Sequence, residues 1–159
     1  MTENVSISII VNGTKHNAEV EPRLLLADFI RENLDLTGTH VGCEQGICGA
    51  CTILINGDSV RSCLTLAVQA DGAEIETVES LGEAEKLGPL QQAFRDHHAL
   101  QCGFCTPGML MTATDMLRKY PLESDNDIRD GLSGNICRCT GYQHIVAAVR
   151  AARDERDRG

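Results

Sequence analysis

Two sets of four cysteines constrain this chain more than any other feature of its 159 residues. Cys43, Cys48, Cys51 and Cys63 follow the spacing C-x4-C-x2-C-x11-C, within CEQGICGACTILINGDSVRSC. Cys102 and Cys105, in QCGFC, are joined by Cys137 and Cys139, in CRC. Whatever forms must carry two places where four thiols can meet. In a reducing cytosol such thiols hold metal or do redox work more often than they form disulfides. The opening residues, MTENVSIS, show no basic start, apolar core or twin arginine, and no run reaches the ~20 apolar residues of a membrane span. A cytoplasmic protein without membrane insertion is expected.

Composition sharpens this. Aromatic residues make up 3% of the chain, with no Trp, so ring-filled cores are out of reach and some other cross-link is expected to support two small domains. A net charge of -9 and a pI near 4.9 argue against phosphate backbones and anionic membranes, which attract clustered Lys and Arg. Nucleic acid is therefore set aside as a partner.

Val5, Ile7, Ile9 and Val11 alternate as a half-buried strand does, and Asn12-Gly13 marks a tight hairpin into a second strand over 14–20. After Pro22, the pairs Leu25/Phe29 and Leu26/Ile30 predict a short amphipathic helix ending before Thr37-Gly38. Residues 52–55 and 60–64 form a second hairpin about Asn56-Gly57, and 74–78 a closing strand. Residues 79–89, ESLGEAEKLGP, have the charge and glycine of a linker. Helical spacing follows, at Leu90 to Leu100, at Leu110 to Tyr120 before Pro121, and at Tyr142 to Arg153; Ser124 and Asp127 predict a capping box between them. CTPGM at 105 and CTGYQ at 139 repeat weakly, with Thr106 and Thr140 as expected N-caps and Pro107 at the first helical position. A pseudo-symmetric helical bundle is expected.

A two-residue turn at Asn56-Gly57 sets Ser62 opposite Cys51 and Cys63 opposite Ala50, so the hairpin delivers Cys63 to the loop that bears Cys43, Cys48 and Cys51. Gly42, Gly46 and Gly49 let that loop turn several N–H groups toward one anionic centre. The C-x4-C-x2-C run with a later fourth Cys is the plant-type [2Fe-2S] spacing, whereas structural zinc usually shows paired C-x2-C units. The second set is less diagnostic: C-x2-C with C-x-C suits zinc as well as iron. Cys105 and Cys139 precede expected helix starts, where free N–H groups favour an anion. A four-thiolate [2Fe-2S] centre carries about two negative charges when oxidised, so burial demands such donors, and two environments give two potentials.

Other residues suit plainer roles. His97 and His98 are unneeded as ligands beside eight cysteines, and His40 and His144 read as structural. Arg138, between two ligands, either offsets cluster charge or is solvated. Met109, Met111 and Met116 stand at helical spacing as core filler. No Ser-His-Asp set, Walker loop or G-x-G-x-x-G appears, so no residue set suggests bond chemistry and none is predicted to be catalytic.

With both sets in order, the chain resembles, over nearly its whole length, the small [2Fe-2S] subunit of the xanthine oxidase family of molybdenum hydroxylases. GCEQGICGACT, RSC, QCGFCTPGM and GNICRCTGY carry the resemblance. It implies an α+β chain: a β-grasp plant-type ferredoxin domain over 1–78, holding one [2Fe-2S] cluster on Cys43, Cys48, Cys51 and Cys63, then an all-α four-helix domain over 79–159, holding the second on Cys102, Cys105, Cys137 and Cys139. It further implies a large subunit whose molybdopterin, as the cytosine dinucleotide, touches Gln101 and Cys139, and a medium subunit bearing FAD, arranged as a dimer of heterotrimers. The chain would pass electrons from the molybdopterin to FAD, as the non-catalytic subunit of an oxidoreductase. EPRLLLAD, RSCLTLAVQA and HHALQCGFCT resemble the quinoline-oxidising, N-heteroaromatic branch, whereas carbon monoxide-oxidising members tend to have CDTS in place of residues 43–46. A free diffusible ferredoxin and a zinc-stabilised interaction module are the competing readings.

Overall fold

The computed structural model describes residues 3–83 and 85–159. β1 (Val5–Val11) buries Ile7, Ile9 and Val11 on one face and turns Ile10 outward, as the alternation predicts; Val5, on the inward face by the same alternation, is 41% exposed at the strand's first residue. Asn12 and Gly13 both take positive φ, at 50° and 79°, and turn the chain into β2 (Thr14–Val20), paired antiparallel with β1. The second hairpin repeats the device: Asn56 and Gly57 join β3 (Thr52–Ile55) to β4 (Asp58–Arg61), with Thr52 opposite Arg61. β5 (Glu74–Glu76) runs between the hairpins, parallel to β1 and antiparallel to β3, giving one sheet in the order β2-β1-β5-β3-β4.

Three expected boundaries move in the sheet half, and the helix expected from Leu90 to Leu100 ends at Asp96. β4 stops at Arg61 because Ser62–Leu64 winds into a 3-10 turn, and β5 stops at Glu76 before another at Val78–Leu81. The expected helix after Pro22 shortens to α1 (Leu26–Asp28) and widens into a π turn over Phe29–Asn33, closed by the Leu34 N–H on the Phe29 carbonyl. Within these two turns Leu26, Ala27, Phe29 and Ile30 are all buried, against Ile7, Ile9, Ile53 and Ile75. The Arg31 guanidinium then donates to the carbonyls of Thr37 and Thr39 and fixes the exit.

The remainder is helical: α2 (Pro89–Asp96), α3 (Thr106–Lys119), α4 (Asp125–Gly131) and α5 (Gln143–Arg156). Phe94, Met109, Met116, Ile128, Ile145 and Val149 form their shared core. Met111 is buried too, so Met109, Met111 and Met116 are all interior. α3 is the hinge of the architecture, since it packs on α2 and α4 and also on β3 and β4. Ser124 caps α4 by exchanging hydrogen bonds with Asp127, as expected.

The other caps differ. Cys105, not Thr106, is the N-cap of α3, so Pro107 falls at the second helical position. Tyr142, with φ at 67°, is the N-cap of α5, while Thr140 lies outside the helix and accepts the Tyr142 N–H at 3.1 Å. The helix-end environment expected at both Cys105 and Cys139 therefore exists at Cys105; at Cys139 the extra turn of Gly141 and Tyr142 intervenes.

Candidate metal centres

The first four thiols surround the bends between α1 and β3. Glu44 and Gly46 take positive φ of 54° and 74°, which turns the N–H groups of Gln45 and Cys48 onto Cys43 Sγ, each at 3.4 Å; Gly49, at 74°, bends the chain on toward Cys51. These donors, Cys48 first and then Gln45, draw the Cys43 thiol down to about 6. Cys51 and Cys63 are buried behind them. The Ser62 N–H and hydroxyl both donate to the Cys51 carbonyl, at 3.3 and 2.8 Å, as the expected place of Ser62 opposite Cys51 requires; Cys63 then lies in the 3-10 turn, facing the Cys51 sulfur, and not in a strand paired with Ala50. Burial, then the facing Cys51 sulfur, pushes the Cys63 thiol up to about 11. Such a thiol gives up its proton when a metal cation takes the proton's place.

The second four thiols divide in the same way. Cys102 and Cys139 are exposed, with sulfurs 3.5 Å apart, well beyond the ~2 Å of a disulfide. Cys105 lies behind them, where burial and then the Cys137 sulfur push its thiol up to about 12. Cys137 moves the other way. Burial would raise it, but the hydroxyl and N–H of Thr140 and the N–H of Cys139 outweigh that and hold it below its ordinary value. Thr140 Oγ1 stands 3.0 Å from Cys137 Sγ and its N–H 3.5 Å.

All eight cysteines are free thiols. Among the described residues no three His, Cys, Asp or Glu side chains gather tightly enough for one metal ion; the thiols stand in twos, an outer pair and an inner pair at each place. A two-iron core fits that donor set, because each iron takes two thiolates. Donors for its charge are present at Cys43 and Cys137, and the buried Thr106 hydroxyl, next to Cys105 in the chain, has no protein partner. Of the other candidates, Gln101 is exposed beside Cys102, and Arg138 is exposed. His40 Nδ1 bonds the Phe104 carbonyl at 2.8 Å and His144 Nδ1 the His97 carbonyl at 3.0 Å, both structural contacts.

Residues outside the cysteine motifs join the two places. Asn135, 2% exposed, donates from Nδ2 to the Gly49 carbonyl at 3.1 Å and accepts the Thr112 hydroxyl at 2.9 Å. The Ile136 N–H donates to the Cys48 carbonyl at 2.8 Å. Arg61 reaches from Thr52 Oγ1 to the Gly134 carbonyl. A glycine inside a helix, at Gly108, was the available signal for such close approach, since helix interiors disfavour it.

Two family models of [2Fe-2S] binding match this chain. Residues 9–81 match the family model described as the 2Fe-2S iron-sulfur cluster binding domain, and residues 77–150 that of the [2Fe-2S] binding domain. The chain is 56% identical to caffeine dehydrogenase subunit gamma of Pseudomonas sp. (strain CBB1), over 91% of this chain and 89% of that one. It is 54% identical to the nicotine 6-hydroxylase small subunit of Paenarthrobacter nicotinovorans, over 93% and 89%. Its fold superposes on a chain of quinoline 2-oxidoreductase from Pseudomonas putida 86 with a TM-score of 0.93 and 55% identity, over 99% and 98%. This chain belongs to the small iron-sulfur subunits of the molybdenum hydroxylases, the xanthine oxidase family.

Proposed function

We propose that this chain carries electrons from the molybdopterin of a large subunit to FAD on a medium subunit, inside a cytoplasmic hydroxylase that acts on an N-heteroaromatic compound. Cys43, Cys48, Cys51 and Cys63 hold one [2Fe-2S] group, and Cys102, Cys105, Cys137 and Cys139 the other. When bound, these groups supply one-electron transfer. The sheet half, over 1–78, serves as a β-grasp ferredoxin domain and the half over 79–159 as a pseudo-symmetric four-helix domain. Gln101 and Cys139 contact the pterin, taken to be the cytosine dinucleotide, and the assembly is a dimer of heterotrimers.

The observation that carries this reading is the Ile136 N–H on the Cys48 carbonyl at 2.8 Å. Cys48 belongs to the first ligand set and Ile136 precedes Cys137 of the second, so one hydrogen bond links the two sets through the backbone. A lone diffusible ferredoxin has no use for such a link. Exposed apolar side chains border the thiols: Ile47 and Leu64 are 61% and 60% exposed beside the first loop, and Phe104 and Ile136, each 49% exposed, flank the second set where it meets the first. Apolar side chains grouped at an edge mark places where other surfaces dock. The names of the relatives, on caffeine, nicotine and quinoline, support the substrate class.

The test is expression of the tagged chain with its neighbouring genes. The expected result is co-purification of two larger subunits with FAD and molybdenum. A chain that emerges alone and is still fully reducible favours the free ferredoxin instead.

A further inference from the structure

The geometry points to Thr140 as a positioning residue that acts through Cys137 to raise the reduction potential of the second cluster, by a hydroxyl hydrogen bond to the ligating sulfur. The inference rests on the reading above that Cys137 is a ligand. Thr140 Oγ1 accepts the Tyr142 N–H at 3.1 Å and lies 3.0 Å from Cys137 Sγ. A ligating thiolate has no proton, so the hydrogen between these two atoms must belong to Thr140, and the hydroxyl donates.

The hydroxyl is also held in place. Gly141 and Tyr142 both take positive φ, 65° and 67°, a conformation that costs a tyrosine energy and persists only where its surroundings fix it. The Tyr142 hydroxyl supplies that fixation, accepting the Cys137 N–H at 2.9 Å and donating to the Asn135 carbonyl at 3.3 Å. The turn from Cys137 to Tyr142 is thus closed from both ends, with Thr140 Oγ1 at its centre. Cys137 is 8% exposed, so water contributes little to stabilising added negative charge there. At the first set, Cys43 receives backbone N–H groups from Gln45 and Cys48, so removal of the Thr140 hydroxyl affects one set and not the other.

The step concerned is uptake of one electron from a mediator by the oxidised cluster; Thr140 keeps its proton and no bond is made or broken. A hydrogen bond to the thiolate is stronger once that electron has arrived, so its loss makes reduction less favourable.

The experiment is a redox titration of the assembled complex, followed by electron paramagnetic resonance, for wild type, Thr140→Val, Thr140→Ala and Thr140→Ser. Two distinguishable [2Fe-2S] signals in wild type are required first; a single signal is the failure of the ligand reading itself. Given two, Val and Ala are expected to lower the equilibrium constant for reduction of one signal roughly tenfold, ~59 mV for a one-electron couple, with Ser close to wild type and the other signal unmoved. Ala covers the case in which Val does not load its cluster. An unchanged potential in either loaded variant, an equal fall in Ser, an equal shift of both signals, or failure of both Val and Ala to load while Ser loads normally (a structural role) overturns the proposal.

Discussion

Gly108, in the first turn of α3, stands so close to Gly49 that a Cβ on it would lie 2.1 Å from the Gly49 carbonyl oxygen and 3.0 Å from the Ala50 Cα. Backbone, not a flexible side chain, fills the space. Gly108→Ala must therefore part α3 from the loop bearing Cys48 and Cys51, at a cost of about 1–3 kcal/mol for an overpacked contact. Gly134→Ala meets only the Arg61 guanidinium at 2.7 Å, a movable group, and should cost less. Thermal unfolding of the two variants checks the order, and equal midpoints contradict it.

Ile47→Asp should weaken subunit assembly without loss of iron. Ile47 is 61% exposed, so its replacement removes no core contact, while a charge on the rim opposes burial against a partner. About a tenfold or greater loss in affinity for the partner subunits is expected from size-exclusion or pull-down titration. Unaltered assembly would show that this rim stays in water.

The contact between α3 and the sheet should weaken in acid. Glu76 accepts both Arg118 guanidinium nitrogens, at 2.6 and 2.8 Å, and that bond outweighs burial to hold its carboxyl below the ordinary range. Burial pushes Asp115 up, but Lys119 and Ser59 outweigh it and leave Asp115 low as well. A carboxylate whose folded pKa is depressed contributes stability that is fully present above its unfolded value, ~4, and is lost as pH falls through the folded one. Wild type should exceed the Glu76→Gln, Asp115→Asn variant in unfolding midpoint near pH 7, modestly because the pairs are partly exposed, and the gap should shrink below pH ~4.5. A gap that widens in acid reverses the sign and refutes the assignment.

The hairpins and the first thiol set were legible in the sequence because their determinants are local. Asn-Gly fixes a two-residue turn, the turn fixes register as far as Ser62 opposite Cys51, and the 3-10 turn over Ser62–Leu64 then brings Cys63 to Cys51. The caps were less legible: Thr106 and Thr140 both follow a cysteine, yet neither caps a helix, since a left-handed Tyr142 starts α5 and the Thr140 hydroxyl turns to a sulfur instead. Of the joint between the halves, the glycine within a helix at Gly108 is the one local sign. The joint depends on Asn135, Ile136 and Gly108 meeting Cys48 and Gly49 from far along the chain, and no short-range pattern encodes such a meeting. The π turn after Asp28 escaped for a related reason, since the need to bury both Phe29 and Ile30 comes from the sheet beneath them.

Two separate cages of sulfur within one small acidic chain lie at the centre of everything proposed, and ligand removal tests them most directly. Iron and acid-labile sulfide should be quantified in wild type, Cys51→Ser and Cys137→Ser, with spectra recorded after dithionite reduction. Wild type should hold about four irons and four sulfides and give two paramagnetic signals, and each variant should lose one signal, a different one, with about half the iron. Zinc in place of iron, or one substitution abolishing both signals in a folded chain, would contradict two independent clusters.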